Sequence, residues 1–493
     1  NSRYSGGMQL NTIDTLELNN TVFKNNISSS YGSGGIGGDE IDYIYVSNSD
    51  FTGNKSQSSG GAISLESFES LTIDDSYFYG NYSYDNGGSL FLESDDGSSI
   101  VEITNSEFSS DTASYSGGSI YNINSSLVIY NTDFLNGKAN NGGSIRTDKE
   151  FYGGDGCDEC RSINEIVREG NGLVKSTNFT ITDVTFNGNE ASNSGGALYT
   201  KFIDTVLVSN CEFLNSSSNL NGGGGAVFNT ASVAVVESTT FTNCVSNGAN
   251  TNAGGGAIKV EQEDPNGYGY YEYSNEITEL SAAVEIDGLM SSYLETEYMM
   301  SLDNNTFNDN QTNNNGGAIL IEGLLDLHVT NSTFDNNSSV LGATNKGETN
   351  YNGGALYVDM SSETIDSFNI NIAHSTFSNN GNEGFSSGGA IYYSGSAYVT
   401  IDIDSSQFVH NVSSGDDESG GGSIFVNNAT SLSLDSNTFV NDSSGNGGAI
   451  AVYNVPTVSV IRSDFNGNNA STMGGGIFTE DVDYLRVHNS NFE

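Results

Sequence analysis

The sequence predicts an all-β chain: one right-handed parallel β-helix of about 15 coils, a solenoid with two or three loop insertions. Three observations predict it. A Gly-Gly-(small)-(aliphatic) tetrapeptide returns along the whole chain, as at Gly60-Gly61-Ala62-Ile63, Gly195-Gly196-Ala197-Leu198 and Gly447-Gly448-Ala449-Ile450. It alternates with Phe-x-x-Asn or a close variant, centred on Phe23, Phe51, Phe78, Phe108, Phe134, Phe186, Phe213, Phe241, Phe307, Phe334, Phe377, Phe408, Phe439, Phe465 and Phe492. Most steps between these Phe residues are 26–31 residues. A fixed period of that size means one supersecondary unit stacked many times, so residues 1–493 read as one elongated body.

Residues 447–475 serve as a model unit. Ala449 to Tyr453 reads as a strand with Ile450 and Val452 on one face, and Asn454 to Pro456 as a turn. Val458 and Val460 alternate as a second strand, and Phe465 to Asn468 makes a third. Such a coil buries its Ile, Val and Phe only between neighbours, with equivalent residues about 4.8 Å apart. The Phe rings then form an internal stack. Gly-Gly marks a corner needing positive φ or close backbone approach. The Asn three residues after Phe (Asn26, Asn54, Asn81, Asn189, Asn310, Asn337, Asn380, Asn411, Asn468) is expected to form a ladder that satisfies turn backbone groups. The Asn or Asp three residues before Phe (Asn48, Asp75, Asn105, Asn131, Asn210, Asn331, Asn489) is expected to do the same.

The period breaks at insertions of about 146–177, 259–300 and 338–352. The first two leave the solenoid just after a Gly-Gly strand, so both are expected on one edge as a contact face or as tolerated decoration. Composition agrees with the fold. Only 2 Pro residues interrupt a chain whose N–H groups are needed in ladders, and 61 Gly supply the corners. No run of 18 apolar residues suggests a transmembrane helix. The chain starts at Asn1 without Met or a signal-like segment, and reads as processed or partial.

The charge is extreme, with 62 acidic and 14 basic residues and a net charge of −48. It excludes nucleic acid and anionic membrane as partners, since phosphates demand Lys and Arg. It suits solubility and mutual repulsion, and leaves room for Ca²⁺. No other cofactor is expected. Four cysteines in an Asn/Ser/Thr-rich chain suit an oxidising compartment, with Cys157–Cys160 and Cys211–Cys244 as the expected disulfides. Sixteen N-x-S/T sequons are candidate glycan acceptors: Asn19, Asn26, Asn54, Asn81, Asn124, Asn178, Asn215, Asn304, Asn310, Asn331, Asn336, Asn337, Asn411, Asn428, Asn441 and Asn469. Six of them use the Asn three after Phe: turned inward, that Asn cannot carry a sugar, and set at a turn, it makes a repeated row of sugars.

Catalytic patterns are sparse. A polygalacturonase-like site needs a carboxylate cluster, Gly-His-Gly and Arg-Ile-Lys. Only Asn131-Thr132-Asp133 resembles a part of it. His328, His374, His410 and His488 stand alone without a Ser–acid pair. Asp416-Asp417-Glu418 and Glu480-Asp481-Val482-Asp483 read as solvated loops ahead of Ca²⁺ sites. No catalytic, cofactor or metal residues are assigned, and the chain is not expected to be an enzyme.

The repeat resembles that of chlamydial polymorphic membrane proteins. The clearest matches are Gly60-Gly61-Ala62-Ile63 with Phe51-x-x-Asn54, and Gly316-Gly317-Ala318-Ile319 with Phe307-x-x-Asn310. The resemblance implies a right-handed β-helix on a cell exterior and no catalytic site. No counterpart of that family's outer-membrane barrel is read here. Neither end reads as a cap. Phe492-Glu493 followed by Asn1 to Gly7 gives Phe to Gly-Gly in eight residues, close to the internal spacing. The expectation is therefore a glycosylated extracellular structural subunit, roughly 70 Å long, that assembles with itself head-to-tail into a filament. A cell-surface adhesin is the alternative, and a polysaccharide-active enzyme is third.

Overall fold

In a computed structural model, the described residues are 3–95, 97–149, 177–220, 222–248, 253–261, 298–323, 325–340, 351–360, 367–382, 386–395, 398–414 and 420–493. These form strands and turns only, and the strands stack in parallel as a β-solenoid. Fifteen Phe-centred strands form one sheet, from Val22–Lys24 to Asn491–Phe492, so about 14 turns separate the first from the last. No described helix is long and apolar enough to cross a membrane.

The model unit has four strands where the sequence suggested three: Ile450–Tyr453, Thr457–Ile461, Asp464–Asn466 and Asn469–Met473. The segment after Phe divides because residues two positions past Phe turn sharply into the left-handed region, as at Asn336 (φ 55°), Asn441 (φ 56°) and Gly467 (φ 66°). The first two strands of each coil share a 27-stranded sheet. In the first three coils they run as single strands of 12 residues, such as Ile63–Asp74.

Register is kept from coil to coil. Phe51 pairs with Phe78, Phe78 with Phe108, and Ile63 with Leu90. All fifteen rings stack in sequence, with centroids 4.5–5.1 Å apart. That separation is the strand spacing itself. The inward aliphatics of the other strands, such as Leu71 and Ile73, complete one continuous core.

The two glycines of each Gly-Gly pair have different tasks. The first takes positive φ, as at Gly195 (φ 63°). The second does not take a positive φ of that kind, but a Cβ on Gly196 would drive into the Gly225 carbonyl oxygen of the next coil. The following Ala or Ser is fully buried, as Ala197, Ala226 and Ser144 are.

The residues three before Phe are not an internal ladder. Asn48, Asp75, Asn105, Asn131, Asn210, Asn331 and Asn489 all have φ of 45–56° and form a second left-handed corner. Asn tolerates that region because its short side chain bonds locally. Their amides run along the outside, as where Asn131 Nδ2 donates to Asn105 Oδ1 at 2.8 Å.

The insertion edges are narrower than the sequence suggested. Ile145–Asp148, Ile258–Glu261, Met299–Asp303 and Ser338–Ser339 are coil strands. Most of each insertion lies outside the described residues.

Two substitutions test this packing. Gly196→Ala should destabilise the chain by more than about 4 kcal/mol, because a backbone carbonyl cannot move aside without breaking register. Phe213→Ala should cost about 3–5 kcal/mol through the cavity it leaves. Denaturant unfolding followed by circular dichroism checks both. A loss under 1 kcal/mol for Gly196→Ala would mean that the coils are not in close contact there.

Candidate binding surface

Two rows of polar side chains and one outer, largely aromatic row run through the coils. The expected ladder three residues after Phe is one of them. Asn54 Oδ1 accepts the Asn26 N–H at 3.1 Å, and its Nδ2 donates to the Phe23 carbonyl at 2.8 Å and to Asn81 Oδ1 at 3.1 Å. The same pattern links Asn310, Asn337, Asn380 and Asn411. These groups satisfy backbone atoms at a corner where the sheet ladder is interrupted.

A second row lies two residues before Phe. Ser76 Oγ accepts the Ser49 N–H at 3.2 Å and donates to the Asp74 carbonyl at 2.9 Å. Ser106, Thr132, Thr239, Ser332, Ser375 and Ser406 repeat the acceptor role. The sequence reading missed it, although Ser or Thr two places before Phe recurs visibly. A third row was also missed: the residue following the Gly-Gly-(small)-(aliphatic) motif. Phe91, Tyr121, Tyr199, Phe228, Tyr357 and Phe425 hold this outward-pointing place, yet all are buried. Arg146 lies between the Tyr121 and Tyr199 rings, 5.3 and 4.7 Å from their centroids, and pairs with Asp148 at 2.6 Å. Lys259 is 1% exposed in the same row, with Nζ 2.9 Å from Glu261 and 3.1 Å from Glu322.

These rows correct the cysteine assignment. Cys211 occupies the Ser/Thr row, where its N–H donates to Thr239 Oγ1 at 3.3 Å. Cys244 occupies the Asn ladder, where its N–H donates to Asn310 Oδ1 and its thiol to the Phe213 carbonyl. Neighbouring coils bring like positions together, and these two positions lie on opposite sides of the Phe strand. Both are free, buried thiols, pushed up to about 12 by burial. Cys157 and Cys160 lie outside the described residues.

The glycan assignment divides as well. Asn54, Asn81, Asn310, Asn337 and Asn411 are at most 1% exposed and bound inside the ladder, and Asn124 is 4% exposed. These side chains are enclosed between coils. Asn26, Asn178 and Asn428 are half-buried. Asn19, Asn215, Asn304, Asn331, Asn336, Asn441 and Asn469 are exposed.

The candidate catalytic fragments disperse. Asn131 is a corner, Thr132 belongs to the Ser/Thr row, and Asp133 points outward. His374 and His410 sit at two different left-handed corners, His328 on an outer strand face and His488 in the last coil. Among the described residues no three His, Cys, Asp or Glu side chains stand close enough to hold a metal. Asp416, Asp417 and Glu418 lie outside them.

Aromatic side chains remain on the exterior. Eight exposed tyrosines fall within 31–130: Tyr31, Tyr43, Tyr45, Tyr77, Tyr79, Tyr84, Tyr115 and Tyr130. Only Tyr4, Tyr398 and Tyr484 are as exposed elsewhere among the described residues. Tyr77 and Tyr79 point to the same side of one strand, rings 6.0 Å apart and within 7° of parallel. Burial and then Glu107 push the Tyr77 hydroxyl above the usual phenol range.

The fold and its ladders define a β-helix repeat protein. The Chlamydia polymorphic membrane protein repeat matches it at 48–66, 183–201, 306–322 and 331–359. The coils therefore resemble those repeats, and the first two matches each run from a left-handed corner through Phe and Asn to the Gly-Gly strand. No curated protein and no solved structure matches the chain.

Two ladder positions carry a carboxyl in place of an amide. Asp111 Oδ1 accepts the Asn81 N–H at 2.9 Å, and Asp442 Oδ1 accepts the Asn411 N–H at 2.8 Å. The Oδ2 of each is buried without a partner, at the place where Asn carries its donor. A protonated carboxyl can donate there and a carboxylate cannot. Burial pushes Asp111 up to about 8 and Asp442 up to about 7. Both values lie above the unfolded pKa, so the folded state binds the extra protons more tightly. Their contribution is full below about pH 4 and is lost as pH rises through 7–8. Asp111→Asn with Asp442→Asn should leave stability near pH 4 little changed, raise it at pH 9 by about 1–3 kcal/mol per site, and flatten the profile between them. Denaturant melts from pH 4 to 9 check this, and parallel profiles for both chains would refute it.

Proposed function

We propose that this chain is a non-catalytic, adhesin-type β-solenoid displayed at a cell surface or outside the cell. The observation that carries this reading is the use made of the repeated residues. Phe, Asn, Gly-Gly and Ser/Thr are all committed to contacts between coils. Recognition is thus left to the exterior, where the tyrosines of 31–130 gather. The likeness to a polymorphic membrane protein repeat supports a surface location. Exposed aromatic rings on rigid strands suit a contact surface, because Tyr supplies large amphipathic area with few rotors.

The test compares wild type with Tyr43→Ser/Tyr45→Ser/Tyr77→Ser/Tyr79→Ser in a cell-binding assay, alongside a chain lacking 262–297. The tyrosine variant should melt like wild type and lose at least tenfold in binding. Full binding by it, with loss in the deletion, would move the contact face to the insertions.

A second reading is head-to-tail association into a filament. It is supported by the packing between coils, in which each strand pairs in parallel with its equivalent in the next coil, so the same rows suit stacking by a coil of a second copy. Electron microscopy over a dilution series should then give unbranched fibres with an axial repeat near ~70 Å. Separate short rods at every concentration would reject it.

A further inference from the structure

We propose that N-glycan transfer to this chain is confined to Asn19, Asn215, Asn304, Asn331, Asn336, Asn441 and Asn469. The sequons at Asn54, Asn81, Asn310, Asn337 and Asn411 are by-products of coil packing that must stay unmodified for the chain to fold. This proposal does not depend on the partner the surface recognises.

The packing itself writes these sequons. Successive residues of a strand alternate between inside and outside. The ladder Asn points inward, the next residue outward, and the one after it inward again. That second inward place lies in a narrow corner and takes Ser56, Ser83, Thr312, Ser339 and Ser413, all buried. Asn-x-Ser/Thr therefore appears wherever the ladder precedes a small polar side chain.

The chemistry then separates the two sets. N-glycosylation replaces one Nδ2 hydrogen with a bond to a sugar's anomeric carbon. The anomeric C–O bond to a lipid-linked diphosphate donor breaks, and the amide proton leaves with the diphosphate. A ladder amide has no hydrogen to spare. Asn310 Nδ2 donates to the Phe241 carbonyl at 3.1 Å and to Asn337 Oδ1 at 3.0 Å. A sugar there would also have to fit between coils about 4.8 Å apart. Of the other eleven sequon asparagines seven are exposed, whereas Asn26, Asn178 and Asn428 are half-buried and Asn124 is buried. Five of the seven, Asn215, Asn304, Asn331, Asn336 and Asn441, hold left-handed corners with φ of 51–56°, where a bulky substituent points into solvent. Their amide bonds are outside and replaceable by water, as for Asn215 Nδ2 to Asn187 Oδ1 at 3.1 Å. Asn304 and Asn331 occupy the same corner of adjacent coils, since Asp303 pairs with Thr330, so a glycan on one excludes the other.

The experiment treats the full chain with an oligosaccharyltransferase and a lipid-linked oligosaccharide, once folded and once denatured. Sites are mapped by enzymatic deglycosylation in ¹⁸O water and mass spectrometry. The folded chain should be modified only among the seven, with at most one of Asn304 and Asn331 per molecule. The denatured chain should also be modified at the five ladder sites, and should then fail to regain its circular dichroism on dilution. Chains modified before refolding only at the seven should regain it. Modification of a ladder asparagine in the folded chain would overturn the proposal. So would refusal of all seven in both forms, or full refolding of ladder-modified chains.

Discussion

Everything in this molecule depends on parallel strands stacked in register at a separation of about 4.8 Å. Each side chain meets its own equivalent above and below, so a position is tolerable only if its residue type packs well against itself. Phe meets this condition through ring stacking, and the aliphatics do so through apolar contact. Asn is suited twice over, because its carboxamide is donor and acceptor at once. It takes an N–H from one neighbour and gives its own to a carbonyl and to the next amide. Ser and Thr do likewise with a hydroxyl. A buried polar group without such a partner would cost several kcal/mol, and here the neighbouring coil supplies it.

The same rule makes charge hard to place. Like charges in one row stand a strand spacing apart. Glu66 is held above the usual carboxylate range by burial, and then by Glu93 and Asp39 in the adjacent coils. A chain with net charge −48 carries its acids mainly on the outside of the described coils. Among the described residues, the buried Lys259 is paired with Glu261 and Glu322, and burial pushes Asp111 and Asp442 toward the protonated form.

The coil was legible because its rules repeat. Phe, Gly-Gly and the Asn ladder recur at one period, and their roles follow from elementary sterics and hydrogen bonding. The Ser/Thr row and the outer aromatic row recur as plainly, but each sits beside a stronger signal. The Asn before Phe drew attention away from the Ser that follows it, and the aliphatic after Gly-Gly from the aromatic next to it. The cysteines were misread for a different reason. Cys211 and Cys244 lie in adjacent coils, yet contact in a solenoid follows position within the coil. Counting from Phe places one two residues before and the other three after.

The outside of the coil gives no such help, since exterior residues are not constrained to resemble their neighbours. The tyrosines of 31–130 show no period, and only the burial of their neighbours reveals them as one exposed set. Sidedness changes their meaning. Tyr43 and Tyr45 flank the buried Ile44 and project together from one strand, as Tyr77 and Tyr79 do around Phe78. Residues two apart on a strand are about 6.8 Å apart, and the strands themselves are locked by the Phe stack and the ladders. Rings held this way lose little freedom when a partner arrives, and it is that ordering cost which most often erodes the affinity of a large contact. The rigid interior thus serves the exterior: the ladders that use up every repeated residue also fix the spacing at which the unrepeated ones are presented.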